Sequence, residues 1–204
     1  MSYKTEPSLR AIKAQRRCFP GDRKFGDMES IVRDYVENVR HRAMMELAAF
    51  RGMSNLRRAV EQAALALRAD GKRLDHQRRI PEPALRAWAE RLLRKTSSMG
   101  ACQSFEALFA IVERESLHLW GVGELTVYDT ALRIGAHLGL EPSEVFLHAG
   151  TREGAKALGI DGNRRTISPQ ELPKAFRQLK PREIEDCLCI YKDDLKTMKP
   201  ITLP

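Results

Sequence analysis

The sequence predicts an all-α fold, a compact multi-helix domain, on three observations. Apolar residues recur at the i, i+3, i+4, i+7 spacing of a helix face in one segment after another. Strand-like alternation is essentially absent. The chain also has the means for a real core, with 204 residues and a hydrophobic share of 43%.

The elements follow in order. Met28, Ile31, Val32, Tyr35, Val36 and Val39 lie on one face of the first predicted helix. Leu56, Ala59, Val60, Ala63 and Leu67 form a second stripe, begun by Ser54 or Asn55 as N-cap and stopped at Gly71. A third, Leu85, Trp88, Ala89 and Leu92, is entered through Pro81-Glu82-Pro83 and places Trp88 in the core, whereas Trp120 is left open between core and surface. Ser104 caps a helix carrying Phe105, Leu108, Phe109 and Val112. Ser168-Pro169-Gln170-Glu171 has capping-box spacing with proline at the first helical position. A last helix after Pro181 buries Ile184, Leu188, Tyr191 and Leu195. Breaks fall at 19–22, 73–83, 97–100 and 159–169. The expected divisions are a mobile basic arm over 1–27, a basic helical region over 28–100, a glycine-hairpin region over 101–160, and a C-terminal helical segment over 161–204 packed on the same core.

Composition narrows the function. Lys+Arg 35 against Asp+Glu 27 gives a net charge of +8, which favours a polyanionic partner. The surplus is segregated: residues 1–100 hold 22 Lys+Arg and 12 Asp+Glu, while residues 101–204 hold 13 and 15. Solubility requires no such separation of sign, so the asymmetry points to nucleic acid. The basic clusters, among them Arg16-Arg17, Arg57-Arg58 and Arg78-Arg79, are mostly arginine, whose planar fork suits phosphate. Any one cluster alone reads as a solvated helix face. An aromatic share of 6% argues against a surface built to stack many bases.

The longest apolar run, Ala107 to Val112, falls far short of the roughly 20 residues that cross a bilayer. Met1-Ser-Tyr-Lys-Thr-Glu-Pro7 holds no apolar stretch of the secretory kind. A cytoplasmic protein is expected, nucleoid-associated if it binds DNA, with no membrane partner. Cys18, Cys102, Cys187 and Cys189 form no Cys-x-x-Cys pair and the five histidines are scattered, so neither a metal nor another cofactor is expected.

The most informative stretch is Leu119-Trp120-Gly121-Val122-Gly123-Glu124-Leu125-Thr126, which follows one predicted helix and opens another. Two glycines at a helix N-terminus leave successive backbone N–H groups bare, and the positive end of the helix dipole adds to their pull on a phosphate oxygen. This stretch resembles the hairpin of the helix-hairpin-helix DNA-binding family, whose pattern reads roughly Leu-Pro-Gly-Val-Gly-x-x-Thr-Ala. Here Trp120 stands for the proline and Val127 for the alanine. The resemblance covers about residues 105–160 and implies that the amides of Gly121, Val122, Gly123 and Glu124 hold a phosphate of double-stranded DNA. Arg16, Arg17, Arg78 and Arg79 would extend that track.

A weaker second copy begins 28 residues on, at Leu147-His148-Ala149-Gly150-Thr151-Arg152, with Ala149 and Thr151 at the glycine positions. It adds Gly150 and Arg152 to the candidate DNA contacts, while Gly154 and Ala155 fit a close helix–helix approach. An ordinary packing corner accounts for the same residues and is favoured for this copy.

Two alternatives stay open. One branch of the family consists of DNA glycosylases, in which a catalytic Asp follows the hairpin and bifunctional members add a Lys. Here Leu147-His148 and Leu125 stand at those places, which leaves Asp129 and Glu141 or Glu144 as carboxylates. Asp129 could steady an oxocarbenium ion beside a flipped base, although its place near a helix N-terminus favours an ordinary surface acid. The other alternative is a helical adaptor that binds an acidic protein partner through residues 28–100.

Overall fold

The computed structural model describes residues 25–68, 71–74 and 77–198. The expected basic arm, with Arg16, Arg17 and Cys18, lies outside them apart from its last three residues. The described chain is all-α, with ten α-helices and one two-stranded sheet.

Helix α1 (Met28–Asn38) starts at Asp27, whose Oδ1 accepts from the Ser30 N–H at 2.8 Å while Ser30 Oγ accepts from the Asp27 N–H. Val39 joins it directly to α2 (Arg40–Arg51). Asn55 caps α3 (Leu56–Ala64), its Oδ1 accepting from the Arg58 N–H at 2.9 Å. That helix ends before Leu67 because Ala66 takes a left-handed φ of 56°. Leu67 instead bridges to Arg73 across a turn in which Gly71 has a φ of +77°.

Helix α4 (Glu82–Leu93) is followed by α5 (Thr96–Gly100), where the sequence reads as a break. Next come α6 (Phe105–Ser116), capped by Ser104, and α7 (Glu124–Leu138), ended by left-handed Gly139. Strand β1 (Val145–Phe146) pairs antiparallel with β2 (Thr166–Ile167), and α8 (Ala149–Ala157) lies between them. The capping box at Ser168 forms, yet it opens only a 3-10 turn over Pro169–Glu171. Pro173 forces Leu172 into extended backbone, so a second 3-10 turn (Lys174–Gln178) replaces a longer helix. The last predicted helix is two, α9 (Pro181–Ile190) and α10 (Lys192–Thr197), parted at Tyr191.

The apolar residues gather into two cores rather than one. The first is built by α2 to α7 around Trp88, Phe105, Tyr128 and Ile134. The second combines α1 with everything after β1: Ile31 and Tyr35 meet Ile167, Phe176, Leu188 and Tyr191. The C-terminal segment packs with α1 in the second of these cores. Tyr191 Oη donates to Asp34 at 2.6 Å and Tyr35 Oη to Asp186 at 3.1 Å, which ties α1 to the C-terminal helices. Strand period explains the joint, because Val145 and Leu147 enter the second core and Phe146 the first. Phe146 there meets Phe105, Phe109 and Tyr128, with ring centroids 5.5, 4.6 and 5.4 Å away.

Candidate nucleic-acid interface

The hairpin between α6 and α7 is two successive turns, with the Leu119 N–H on Ser116 O at 3.1 Å and the Val122 N–H on Leu119 O at 3.3 Å. Leu119 and Val122 face the first core and anchor it. Leu117 and Trp120 face outward, 54% and 82% exposed. Arg91 of α4 braces the entry, its Nη1 donating to Leu117 O at 2.9 Å and Glu115 O at 3.3 Å. Nothing in the sequence marked Arg91, since its partners lie more than twenty residues away and are backbone carbonyls.

The two hairpin glycines have different reasons. Gly121 has a φ of +87°, and a Cβ there would lie 3.2 Å from Pro81 Cδ and 3.7 Å from Ile80 Cγ2. It is the floor on which the loop before α4 rests, and that loop carries the exposed Arg78 and Arg79. Gly123 has an ordinary φ of −96°, and a Cβ there would meet nothing within 4 Å. Gly123 is the N-cap of α7 and offers no side chain to the first-turn amides. The first helical bond is from the Val127 N–H to Gly123 O, so the N–H groups of Glu124, Leu125 and Thr126 precede it.

Glu124 occupies the first turn of α7, and Arg152 of α8 grips its carboxylate through both guanidinium nitrogens, Nη2 lying 3.1 Å from Oε1. Hydrogen bonding to Arg152 holds the Glu124 carboxyl below the usual carboxylate range. Arg152 is thus engaged within the chain. Gly150 also has an internal reason, because its Cβ would lie 2.5 Å from Cys189 Sγ. Gly154 is tighter still, with Leu188 O 2.2 Å from the same point. Both glycines let α8 lie against α9, and a strand rather than a helix precedes α8.

Asp129 is drawn inward. Its Oδ2 accepts from Gln77 Nε2 at 3.3 Å and lies 3.7 Å from Arg133 Nη2, while Arg133 Nε donates to Glu46 at 2.9 Å. With Gln77 and Arg133 almost fully buried, the group is a hydrogen-bonded crosslink between α2, α7 and the Gln77 turn, one guanidinium shared by two carboxylates. A second buried pair was invisible in the sequence: His148 Nε2 lies 2.6 Å from Glu185 Oε1, both groups excluded from water. The Tyr128 ring stands 5.7 Å from the His148 ring, and burial pushes the Tyr128 hydroxyl well above its ordinary pKa.

The groove between α2 and α7, reaching Arg182, has a volume of about 70 Å³, well below the roughly 300 Å³ at which small-molecule sites begin. Among the described residues no helix is long and apolar enough to cross a membrane. No protein-family model matches the chain, and neither a curated protein nor a solved structure matches it.

Proposed function

We propose that the chain binds double-stranded DNA without reading its sequence, holding the phosphate backbone between the hairpin and the loop before α4. One observation supports this: Ile80 and Pro81 pack against Gly121, and the exposed Arg78 and Arg79 immediately precede them in the chain, near a helix α7 whose N-terminus no side chain caps. Two segments 40 residues apart in sequence, Pro81 and Gly121, meet there, which favours one shared surface. The amides of Gly121, Gly123 and Glu124 take a phosphate oxygen while the arginines take its neighbours, the Val122 N–H being held by Leu119 O. The Glu124 carboxylate would oppose an anion, but Arg152 neutralises it at the rim.

The alternative of base removal gains nothing from Asp129, which Gln77 and Arg133 already engage. The protein-partner alternative draws on Met44 and Met45 of α2, which are 50% and 57% exposed.

Gly123→Ser separates these readings. Serine is a better N-cap than glycine and meets no neighbour, so the fold is retained, yet its hydroxyl occupies the amides. Anisotropy of a labelled duplex, titrated over a range of salt, should show steep dependence for the native chain, with a slope of roughly −0.9 per phosphate neutralised. The serine variant should bind more weakly, with a slope shallower by about one phosphate. Equal binding by both proteins removes the hairpin from the interface.

A further inference from the structure

The hairpin tip presents an indole for which the fold has no use. Trp120 is the most exposed large apolar side chain described, and Leu117 stands out beside it. The backbone between them is held rather than loose. His118 takes a left-handed φ of 62°, which is disfavoured for a residue with a Cβ, and Arg91 pins the carbonyls of Leu117 and Glu115. Across the Gly121 seat lie the exposed Arg78 and Arg79. An apolar plane on a braced turn, flanked by cations that suit phosphate, has the chemistry of a wedge aimed at a base stack.

We propose that Trp120 stacks on an unpaired or unstacked base, so that the chain prefers duplex DNA interrupted by a bulge, gap or mismatch. This rests on the duplex-binding function proposed above. The preference follows from a balance of two terms. Stacking a base on an aromatic ring strengthens binding by roughly 5- to 100-fold. Entering a continuous duplex first separates a base step, which offsets a gain of that size. Where the base is already unstacked the offset vanishes and the stacking appears in the affinity.

The two tryptophans make the test clean. Trp88 is fully buried, so a change in indole emission on binding reports Trp120. The full chain is titrated with two labelled duplexes of equal length, one continuous and one with a single unpaired base, and anisotropy and tryptophan emission are followed together. The bulged duplex should bind about tenfold tighter and quench the emission. Trp120→Ala should abolish that preference, Trp120→Phe should keep part of it, and both should match the native chain on the continuous duplex to within about twofold. Because the side chain is exposed, a thermal melt should find these variants folded. The wedge is overturned by equal affinity of the native chain for both duplexes, by unquenched emission on the bulged one, or by a preference that survives Trp120→Ala. Salt-steep binding with no preference overturns the wedge alone, and binding to neither duplex overturns the proposed function with it.

Discussion

Arg152 and Glu124, 28 residues apart in sequence, meet fork to fork across the joint between the two cores. Glu124 belongs to the first turn of α7 in the first core and Arg152 to α8 in the second, so the pair straps one to the other. Its place at the end of α7 also sets the charge that an approaching phosphate meets.

Removing that carboxylate should therefore help DNA binding while removing the guanidinium should hinder it. Glu124→Gln is expected to tighten duplex binding by a few-fold at low salt, and Arg152→Ala to weaken it by a similar factor. Both groups are partly exposed, so neither change should move stability by more than about 0.5 kcal/mol. Anisotropy and a thermal melt on the same samples measure the two effects. Identical shifts for both variants would contradict the geometry.

Acid should reveal the Arg164–Glu171 pair. Hydrogen bonds from Arg164 and from the Ser168 N–H hold the Glu171 carboxyl down at about 2, against an ordinary value of 4.5. A carboxyl depressed on folding stabilises the native state fully above its unfolded pKa, and that contribution fades as pH falls through the folded value. The native chain should thus melt above Glu171→Gln at neutral pH, and the gap should close between about pH 4.5 and pH 2. A gap that stays constant through that window would show that the pair contributes nothing.

The α8–α9 contact distinguishes two glycines. Gly150→Ala collides first with the Cys189 sulfur, and without that sulfur the nearest contact becomes an ordinary 3.5 Å. Gly154→Ala collides with the Leu188 backbone at 2.2 Å, which no side-chain change relieves. Each substitution is expected to cost about 1–3 kcal/mol in denaturant unfolding, Gly154→Ala more than Gly150→Ala. Cys189→Ala should rescue Gly150→Ala alone, and rescue of both would refute the close approach.

Burial makes the His148–Glu185 pair interdependent. Removing either partner leaves the other in a dry site without its hydrogen bond, which is expected to cost about 3 kcal/mol. Replacing both by leucine should cost less than the two single changes together, with a coupling of about 1–3 kcal/mol. Additive losses in the double-mutant cycle would mean that the contact carries no energy.

What the sequence revealed follows from how local each signal was. Helices α1, α3, α4 and α6 were legible because each buries a stripe at helical spacing, and Trp88 falls on such a stripe. Helix α2 was missed because only Ala43 and Phe50 of its twelve residues are buried, which leaves no period to read. The need for glycine at 121 could be read locally, but its partner Pro81 could not, since only the tertiary fold brings them together. The same holds for Arg91, for Arg152 with Glu124, and for the contacts of Gln77 with Asp129 and of Glu46 with Arg133. The two-core arrangement was hidden for a related reason. Stripes show that a helix has an inner face without showing which helix shares it, and α1 finds its partners more than a hundred residues downstream.

That long return shapes how the chain emerges from a ribosome. Helices α2 to α7 are contiguous and contain nearly all of the first core, so the contacts that half needs are complete before the rest of the chain is made. Helix α1 leaves the exit tunnel earlier yet waits with Ile31 and Tyr35 uncovered until α9 and Tyr191 arrive. The segment 145–147 is made between these events and sends Phe146 into the first core and its two neighbours into the second. The second half can thereby assemble on a template once α9 and α10 have been made.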